Sequence, residues 1–375
     1  MKYYIIAGEA SGDLHGSNLI KELIKQDTGA EIRSWGGDLM EKAGAKIIKH
    51  YRDLAFMGFT EVIRNLPTIL NNISFCKNDI ETFAPDTIIL IDYPGFNLRI
   101  AKWAKLKGYK VIYYISPQIW AWKENRIHNI KKYVDKMLVI LPFEKSFYNK
   151  WNYPVDYVGH PLVEVIENFI DNYKQNEHNW PFQKTIALLP GSRKQEILQK
   201  LPIMLEVAKH FKDYQFVVAK APSVDDSFYS GILKDYENVS TVSNKTYELL
   251  YHSSAALVTS GTATLETALF GVPEIICYKG SSISYQIAKR LIKIKFIGLV
   301  NLIMNKEVVK ELIQHDLNKE NLIHELQLLL NDSSRKKQIN EDYIQLKSLL
   351  SMGGLASKNA ADIIIQFMQT NAKAI

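Results

Sequence analysis

Residues 255–268 read AALVTSGTATLETA. The small apolar residues at 255–258 predict a short buried strand, and the hydroxyl residues and glycine at 259–262 predict a tight turn into a helix. Such a turn directs backbone N–H groups and the positive end of the helix dipole at one point, which suits a phosphate. Glu266, in the first turns of that helix, would then reach groups attached to the phosphate, such as ribose hydroxyls. Because Ser and Thr are also common N-caps, the stretch also fits a plain strand–turn–helix unit.

The strand–loop–helix pattern recurs along the chain in two series. Buried strands are predicted at 3–7, 31–35, 87–91, 110–115, 136–141 and 155–158, and again at 185–189, 215–219, 239–242, 255–259 and 274–277. Short apolar runs that alternate with helices predict parallel sheets covered on both faces. A chain of 375 residues is expected to form two domains. The predicted fold is therefore α/β, with two facing doubly wound Rossmann-like domains and a helical C-terminal segment.

The predicted domain boundaries follow the composition of the chain. The N-terminal domain is expected at residues 1–164 and the C-terminal domain at residues 184–331, with the polar, Asn-, Gln- and Lys-rich residues 165–183 as a linker. From residue 282 onward the pattern is helical. The helices at 332–375 carry apolar residues that need a partner, either the N-terminal domain of the same chain or a second copy of the chain.

Charge and cysteine content limit the class of protein. The net charge of +6 favours anionic partners, such as nucleotides, phospholipid headgroups or nucleic acid, without choosing among them. The two cysteines, Cys76 and Cys277, have neither metal spacing nor a disulfide pattern, which indicates a reducing cytoplasm. No apolar run approaches the roughly 20 residues of a membrane span, so any membrane association is expected to be peripheral.

Polar loops follow the first and third predicted strands of the N-terminal half. The loop at 8–16 reads GEASGDLHG and lacks the G-x-G-x-x-G spacing of a dinucleotide site. Its Asp13 and His15 are either site residues or loop and cap residues. The strand at 87–91 delivers Asp92 to the edge where an α/β enzyme keeps its reactive groups. The sequence Asp-Tyr-Pro-Gly is also good turn chemistry, so a turn role for Asp92 stays open.

Several segments carry apolar or basic side chains that fit either packing or a lipid surface. Phe56, Met57 and Phe59 begin a stripe that continues at helical spacing to Ile73, typical of a core helix or of a flap for an acyl chain. Trp120 and Trp122 lead into a basic stretch. Basic residues mixed with aliphatic ones at 289–296 fit an anionic membrane face or a half-buried helix.

Seven short motifs occur in a fixed order. They are GEASGDLHG at 8–16, IDYPGFN at 91–97, SPQIWAW at 116–122, LPFE at 141–144, VGHP at 158–161, LPGSR at 189–193 and SGTATLE at 260–266. Each motif alone is weak, but seven in order are specific. From about residue 3 to about residue 365 the chain resembles the lipid-A-disaccharide synthase family, inverting glycosyltransferases of the GT-B superfamily.

The resemblance implies a reaction and its partners. The 2,3-diacylglucosamine unit of a UDP donor would pass, with inversion, to the 6-hydroxyl of 2,3-diacylglucosamine 1-phosphate. The products would be the β-1,6-linked lipid A disaccharide 1-phosphate and UDP. The resemblance further implies a cytoplasmic enzyme on the surface of the inner membrane. No cofactor and no nucleic-acid partner are expected, and the apolar C-terminal helices leave a homodimer open.

An inverting transfer needs a general base for the attacking hydroxyl and positive charge or N–H groups for the departing diphosphate. Asp92 is the predicted base, and Arg193 with the N–H groups at 260–264 is predicted to stabilise the diphosphate. Many relatives carry a second acid at the position of Gly95, so here the base assignment falls to Asp92. The remaining predicted substrate-binding residues are Ser11, Gly12, His15, His160, Ser192, Ser260, Gly261, Thr262, Thr264, Glu266, Gln286 and Asn301.

Because the implied substrates are acylated, the apolar and basic segments described above can also be interpreted as a lipid-docking face. The residues predicted to form it are Phe56, Met57, Phe59, Trp120, Trp122, Lys289, Arg290 and Lys293. No catalytic metal is expected, because no Asp-x-Asp site is evident and Asp225-Asp226 reads as a solvated loop. Two other functions stay open: a UDP-sugar 2-epimerase on the same fold, and a non-catalytic nucleotide-sugar or lipid-binding protein.

Overall fold

The computed structural model describes residues 1–54, 66–176, 179–222, 224–281, 285 and 294–372. The chain divides into two compact units. The first unit combines Met1–Pro161 with Leu350–Ile375, and the second unit is Leu162–Leu349. Each unit contains one parallel β-sheet, and each is described separately below.

The strands are numbered in chain order. They are β1 (Lys2–Ala7), β2 (Glu31–Gly36), β3 (Lys46–His50), β4 (Thr87–Ile91), β5 (Lys110–Tyr114), β6 (Lys136–Val139), β7 (Asp156–Tyr157), β8 (Thr185–Leu189), β9 (Gln215–Lys220), β10 (Val239–Ser243), β11 (Ser253–Thr259), β12 (Glu274–Tyr278) and β13 (Lys310–Ile313). The first sheet has the order β3-β2-β1-β4-β5-β6-β7, and the second has the order β10-β9-β8-β11-β12-β13.

The helices of the described segments are also numbered in chain order. They are α1 (Ala10–Gln26), α2 (Asp38–Lys42), α3 (Leu66–Phe83), α4 (Pro94–Leu106), α5 (Ile119–Trp122), α6 (Ile127–Tyr133), α7 (Pro142–Asn149), α8 (Pro161–Lys174), α9 (Lys194–Ala208), α10 (Asp226–Leu233), α11 (Thr246–Tyr251), α12 (Thr262–Leu269), α13 (Leu299–Met304), α14 (Lys319–Asn331), α15 (Ser333–Ser351) and α16 (Ala356–Ala372). Short 3₁₀ turns occupy Tyr51–Leu54 and Glu124–Arg126.

Strand β4 shows why the first sheet must be covered on both faces. All of its residues are buried. Ile88 and Leu90 pack against α3, α4 and α6, whereas Ile89 and Ile91 pack against α1 and α16 on the opposite face. Each such side chain contributes about 1.5–3 kcal/mol by leaving water. An uninterrupted apolar strand of this kind belongs in a doubly covered parallel sheet, as the sequence predicts.

The C-terminal helix α16 belongs to the first unit because two glycines let the chain come close to strand β7. A Cβ added to Gly353 would lie 2.3 Å from the backbone nitrogen of Gly159. Next to this contact, the backbone N–H of His160 donates to the carbonyl oxygen of Leu350 at 3.1 Å. The backbone-to-backbone approach fixes where α16 begins, and α16 then fills one face of the sheet beside α1.

The second sheet is built on the same plan, with β8 and β11 at its centre. Strand β8 is buried along its whole length, and Ala187 and Leu189 pack with Ala256 and Val258 of β11 in one apolar cluster. The predicted class of fold, two doubly wound parallel sheets with helices on their faces, is confirmed.

Residues 165–183, predicted as a linker, begin inside a helix. Helix α8 covers Pro161–Lys174, and its Phe169 stacks on Tyr173 at 5.2 Å between ring centroids. Phe169 also contacts the rings of Tyr247 and Phe270 edge-on, at 5.4 and 5.8 Å. The polar composition hides apolar residues at helical spacing, so the helix packs on the second unit instead of acting as a spacer.

The segment after residue 282, predicted to be helical to the end, contains one strand. Lys310–Ile313 forms β13, which pairs with β12. Its Lys310 and Glu311 make it too polar to read as a buried strand, and its position at the edge of the sheet explains that polarity. The helices predicted as one C-terminal group at 332–375 are also divided, because α15 lies mostly in the second unit and α16 in the first.

We expect Gly353→Ala to lower the free energy of unfolding of the first unit by about 1–3 kcal/mol, since the new methyl group meets backbone that cannot rotate away. Gly95→Ala is the matched control in the same unit, because a Cβ there meets open space. Urea unfolding followed by tryptophan fluorescence reports mainly on this unit, because Trp180 alone lies in the second. Equal midpoints for the two variants would contradict the account.

Candidate functional site

A pocket in the second unit lies where the order of strands reverses, between β8 and β11. These strands are parallel neighbours, with Leu189 beside Val258, so the loops that follow them meet at one edge of the sheet. The pocket, here called the Ser260 pocket, has a volume of about 420 Å³. Its lining residues include Gly191, Ser192, Arg193, Glu196, Lys220, Thr246, Thr259, Ser260, Gly261, Thr262, Ala263 and Glu266.

The loop after β11 is shaped by a glycine in a conformation that other residues avoid. Gly261 has φ of 149° and immediately precedes helix α12. The Ser260 hydroxyl donates to the carbonyl oxygen of Ile297 at 3.0 Å and fixes the loop from behind. The first N–H groups of an α-helix have no intrahelical acceptor. Thr262 and Ala263 lie at the start of α12 and line the pocket, so this loop can present N–H donors to an anion.

Positive side chains approach the same pocket from two elements. The Arg193 guanidinium, about half exposed, is oriented by Glu196, whose Oε1 accepts from it at 2.7 Å. Lys200 of α9 is 4% exposed, and its ammonium donates to the hydroxyl of Thr259, a lining residue. Burial lowers the pKa of Lys200. No ion pair among the described residues includes Lys200, whose ammonium lies beside the lining residue Thr259.

Glu266 provides a carboxylate at the side of the Ser260 pocket. Burial raises the pKa of Glu266, and the Tyr247 hydroxyl donates to its Oε1 at 2.9 Å. One carboxylate oxygen is thereby oriented by the protein, and the group can accept hydrogen bonds from a ligand's hydroxyls. Tyr247 was not predicted from the sequence, because a tyrosine in a short helix carries no recognisable signal.

The structure brings most of the predicted residues of this half together and assigns two of them to other contacts. Thr264 is buried and donates to the carbonyl oxygen of Gly261. Asn301 is fully buried, and its amide donates to the Val309 carbonyl and to Glu311 while its oxygen accepts from two backbone N–H groups. The Asn301 amide therefore has no group left for a ligand, which corrects its predicted role. Gln286 lies outside the described residues.

A second pocket lies at the corresponding position of the first sheet, after β4. Here called the Asp92 pocket, it has a volume of about 250 Å³. It is lined by Asp92, Pro94, Pro117, Gln118, Ile119, Trp122, Lys123 and Arg126. Strand β4 is the neighbour of β1 at the reversal of strand order, so Asp92 and the loop after β1 share one edge of the sheet.

The backbone at Asp92 is held in a strained conformation. Asp92 and Tyr93 both have positive φ, 43° and 46°, which costs about 1–3 kcal/mol each for residues with side chains. The Tyr113 hydroxyl and the Asn97 amide both donate to the carbonyl oxygen of Asp92, at 2.5 and 2.8 Å. A Cβ on Gly8 would lie 2.4 Å from the Tyr93 ring, so the glycine makes room for this turn. Such strain is characteristic of functional sites.

The electrostatic environment of Asp92 differs from that of a surface carboxylate. Burial, and then the negative charge of Glu9, together raise the pKa of Asp92 to about 6. Glu9 follows β1, and the sequence alone did not mark it as a neighbour of Asp92. A Cβ added to Gly95 would meet open space. The Asp92 carboxyl can exchange a proton near neutral pH, as a general base must.

The first loop combines one structural acid with residues near the sheet edge. Asp13 accepts hydrogen bonds from the backbone N–H groups of Gly37 and Met40, at 2.8 and 3.0 Å, and so caps α2. Of the two roles open for Asp13, the structure therefore shows the cap. Ser11 is exposed in the first turn of α1, and a Cβ on the neighbouring Gly12 would contact Ala7 at 3.0 Å.

His15 and His160 are buried in the first unit. Burial lowers the pKa of His15 to about 4. Burial, and then the charge of His15, lowers the pKa of His160 to about 3. Both imidazoles are therefore neutral at physiological pH. The Nδ1 atom of His15 has no hydrogen-bond partner within the described chain.

The residues predicted to contact lipid are only partly described. Phe56, Met57, Phe59, Lys289, Arg290 and Lys293 lie outside the described residues. Trp120 is half-buried, and its indole N–H donates to Glu144 Oε1 at 3.2 Å, whereas Trp122 is 53% exposed. No helix within the described ranges is both long and apolar enough to span a bilayer.

No group of three or more His, Cys, Asp and Glu side chains in the described segments is arranged to hold a metal ion. Asp225 precedes helix α10, and Asp226 forms an ion pair with Lys220 at 2.7 Å.

Two doubly wound parallel sheets, each with polar groups collected where the order of its strands reverses, give the chain a GT-B-like fold. Solved structures share this fold across both units. The UDP-GlcNAc 2-epimerase of Neisseria meningitidis, bound to UDP-GlcNAc, matches with a TM-score of 0.68 and 16% identity over 99% of this chain and 100% of its own. A calicheamicin glycosyltransferase matches with a TM-score of 0.61 and 15% identity over 99% of both chains.

The family model of lipid-A-disaccharide synthetase matches residues 3–365. The chain belongs to this family, and it is a glycosyltransferase. It is similar to the lipid-A-disaccharide synthase of Syntrophus aciditrophicus, with 39% identity over 95% of each chain. It is also similar to lipid-A-disaccharide synthase 1 of Legionella pneumophila strain Philadelphia 1, with 40% identity over 92% of each chain.

We expect Arg193→Ala to weaken binding of UDP by about 10- to 100-fold, because a charged hydrogen bond contributes about 1.5–3 kcal/mol. Isothermal titration calorimetry with UDP measures this directly. Lys194→Ala removes the same charge at the next position, where the side chain is exposed and does not line the pocket. Equal affinities for the two variants would remove Arg193 from the UDP site.

Proposed function

We propose that the protein transfers 2,3-diacylglucosamine from its UDP donor to 2,3-diacylglucosamine 1-phosphate. The reaction inverts the anomeric centre and yields the β-1,6-linked lipid A disaccharide 1-phosphate and UDP. The observation that carries the proposal is that Arg193, the hydroxyl–glycine loop before α12 and Glu266 line one pocket. Family membership supports the choice of substrates, since a lipid A precursor is what this family's name describes.

The donor is held in the Ser260 pocket by its UDP part. The diphosphate lies against the N–H groups at the start of α12, and Arg193 contributes a forked, permanently charged donor. Buried Lys200 adds a positive charge behind Thr259. Glu266 accepts hydrogen bonds from the ribose hydroxyls. These groups are positioned before the reaction begins, so they stabilise the negative charge that develops on the departing UDP.

Asp92 acts as the general base toward the acceptor. Its carboxylate removes the proton of the 6-hydroxyl while that oxygen forms a bond to C1 of the donor sugar. The bond between C1 and the diphosphate oxygen breaks on the opposite side, and UDP leaves with the bonding electrons. One displacement of this kind inverts an α-linked donor to a β-linked product. The Tyr113 hydroxyl and the Asn97 side-chain amide, which donate to the carbonyl oxygen of Asp92, hold this residue in place for the proton transfer.

The pH dependence of kcat/KM tests the assignment of the base. The folded-state pKa of Asp92 is raised to about 6, so the carboxyl is protonated and inactive below that value. We expect kcat/KM to fall as the pH drops through about 6. Asp92→Asn should lower turnover by about 10²- to 10⁴-fold.

The control for this test is Asp156→Asn, which changes a half-exposed carboxylate of the first unit that pairs with Lys136. It should leave both turnover and the acid limb of the profile unchanged. A wild-type profile without an acid limb, or an active Asp92→Asn variant, would exclude Asp92 as the base.

A product assay separates the proposed reaction from the alternatives. Purified protein is incubated with both diacylated substrates, and UDP and disaccharide are quantified, with the anomeric linkage read by NMR. Equal amounts of UDP and a β-1,6 product support transfer. A second arm adds UDP-GlcNAc and follows exchange at C2, which a 2-epimerase would catalyse. Turnover that survives chelation of divalent ions agrees with a reaction that needs no metal.

We also propose a location for the enzyme. Acylated substrates place it on the inner membrane from the cytoplasmic side, and Phe56, Met57 and Phe59 are assigned to the lipid-docking face. The net charge of +6 agrees with an anionic surface. A homodimer through the C-terminal helices is also part of the proposal, and its mass is measurable by light scattering.

We expect replacement of Phe56, Met57 and Phe59 together by Ser to reduce co-sedimentation with phosphatidylglycerol vesicles several-fold, because buried apolar area drives interfacial binding. Circular dichroism should show an unchanged fold. Leu106→Gln is the control, since Leu106 is 71% exposed and lies far from residues 56–59 in sequence. Vesicle binding equal to that of wild type would remove the three residues from a lipid-docking face.

A further inference from the structure

The Asp92 pocket contains two positive side chains that the reaction, as described so far, does not use. Lys123 and Arg126 line it together with Trp122. The Lys123 ammonium lies 4.0 Å from the centroid of the Trp122 ring, and the Arg126 guanidinium carbon lies 5.9 Å from it. Both residues lie just after helix α5, so one short segment places two cations and an aromatic ring beside the base.

Neither cation is neutralised by a carboxylate within the described chain. No ion pair among the described residues includes Lys123 or Arg126. Glu124, which lies between them in sequence, instead accepts a hydrogen bond from the indole of Trp151 at 3.2 Å. Asp92 lines the same pocket, but within the described residues it forms no ion pair with either cation.

This arrangement is unfavourable without a bound anion. Partial burial lowers the pKa of both Lys123 and Arg126, and the charge of Arg126 lowers that of Lys123 further. Two like charges that are partly removed from water and unpaired destabilise one another. A polyanionic ligand group reverses that penalty, because it pairs with both cations at once.

We propose that Lys123 and Arg126 bind the anomeric phosphate of the acceptor and thereby present its 6-hydroxyl to Asp92. This inference rests on the proposed function. In a glucosamine 1-phosphate, the carbons that carry the phosphate and the hydroxymethyl group both flank the ring oxygen. One small pocket can therefore hold the phosphate and the reacting hydroxyl. Arg126 suits a bidentate contact with phosphate, and Lys123 contributes a compact point charge.

Lys123 and Arg126 would thereby determine which hydroxyl of the acceptor reacts. An acceptor without the phosphate would keep its 6-hydroxyl but lose the contact that orients the ring. A phosphate elsewhere on the sugar would present a different hydroxyl to the base. The pair therefore explains how one of several hydroxyls is selected, which the Asp92 carboxylate alone cannot do.

The test compares two acceptors with three forms of the full-length protein. The acceptors are 2,3-diacylglucosamine 1-phosphate and its dephosphorylated counterpart, presented in neutral detergent micelles. The proteins are wild type, Arg126→Ala and Lys132→Ala. Lys132 is the matched control, because it is an exposed cation on the neighbouring helix α6 and does not line the pocket.

We expect Arg126→Ala to lower kcat/KM for the phosphorylated acceptor by about 10- to 100-fold and to leave the dephosphorylated acceptor unchanged. The KM of the UDP donor should not move. Arg126→Lys should restore part of the loss, and Lys132→Ala should behave as wild type. Urea unfolding of each variant shows whether the fold is intact, and Lys123→Ala provides a second variant if Arg126→Ala fails to fold.

Two outcomes would overturn the inference while leaving the proposed function standing. In one, Arg126→Ala lowers kcat/KM equally for both acceptors. In the other, activity in micelles is unaffected and only binding to phosphatidylglycerol vesicles falls, which assigns the pair to a lipid headgroup. An inactive wild-type protein instead contradicts the proposed function itself.

Discussion

Both proposed sites depend on one constraint, the parallel pairing of two strands at the point where the order of strands in the sheet reverses. In the first sheet β1 lies beside β4, and in the second β8 lies beside β11. At each junction the loops leave in opposite directions and open a crevice at the carboxyl ends of the strands. Residues far apart in sequence, such as Glu9 and Asp92, become neighbours there because of register alone.

The same constraint explains why the sites carry electrostatic strain. The central strands are buried on both faces, so any polar group at their ends is partly removed from water. The pKa values of Asp92 and Glu266 are raised, and that of Lys200 is lowered, in each case chiefly by burial. In the proposed reaction, charges and hydroxyls of the substrates compensate for this loss of hydration. Oriented groups of this kind favour the charge distribution of a transition state.

The sequence was most informative where one physical requirement dominates. Strands β4 and β8 match their predicted bounds, because a doubly covered strand must be apolar without interruption. The loop before α12 was also recognisable, since a glycine among hydroxyl residues after a strand has few other uses. The order of the seven motifs then indicated the family that the comparisons confirm.

Other features follow from tertiary contacts that no local pattern records. Lys123, Arg126 and Lys200 look like ordinary surface cations in sequence, and only their positions at the pockets give them meaning. The polar composition at 165–183 hid helix α8, whose Phe169 and Tyr173 join an aromatic cluster of the second unit. Asn301 was misassigned for the opposite reason. Its amide satisfies backbone groups inside the fold, a role that sequence does not distinguish from ligand binding.

The central claim is that the diphosphate of the donor binds in the Ser260 pocket of the second unit. A crystal structure of the protein with UDP tests it most directly. The account predicts phosphate oxygens within hydrogen-bond distance of Arg193 and of the N–H groups at 261–263, with the ribose hydroxyls on Glu266. UDP bound at another edge of the sheet, or its phosphates bound in the Asp92 pocket, would contradict the account.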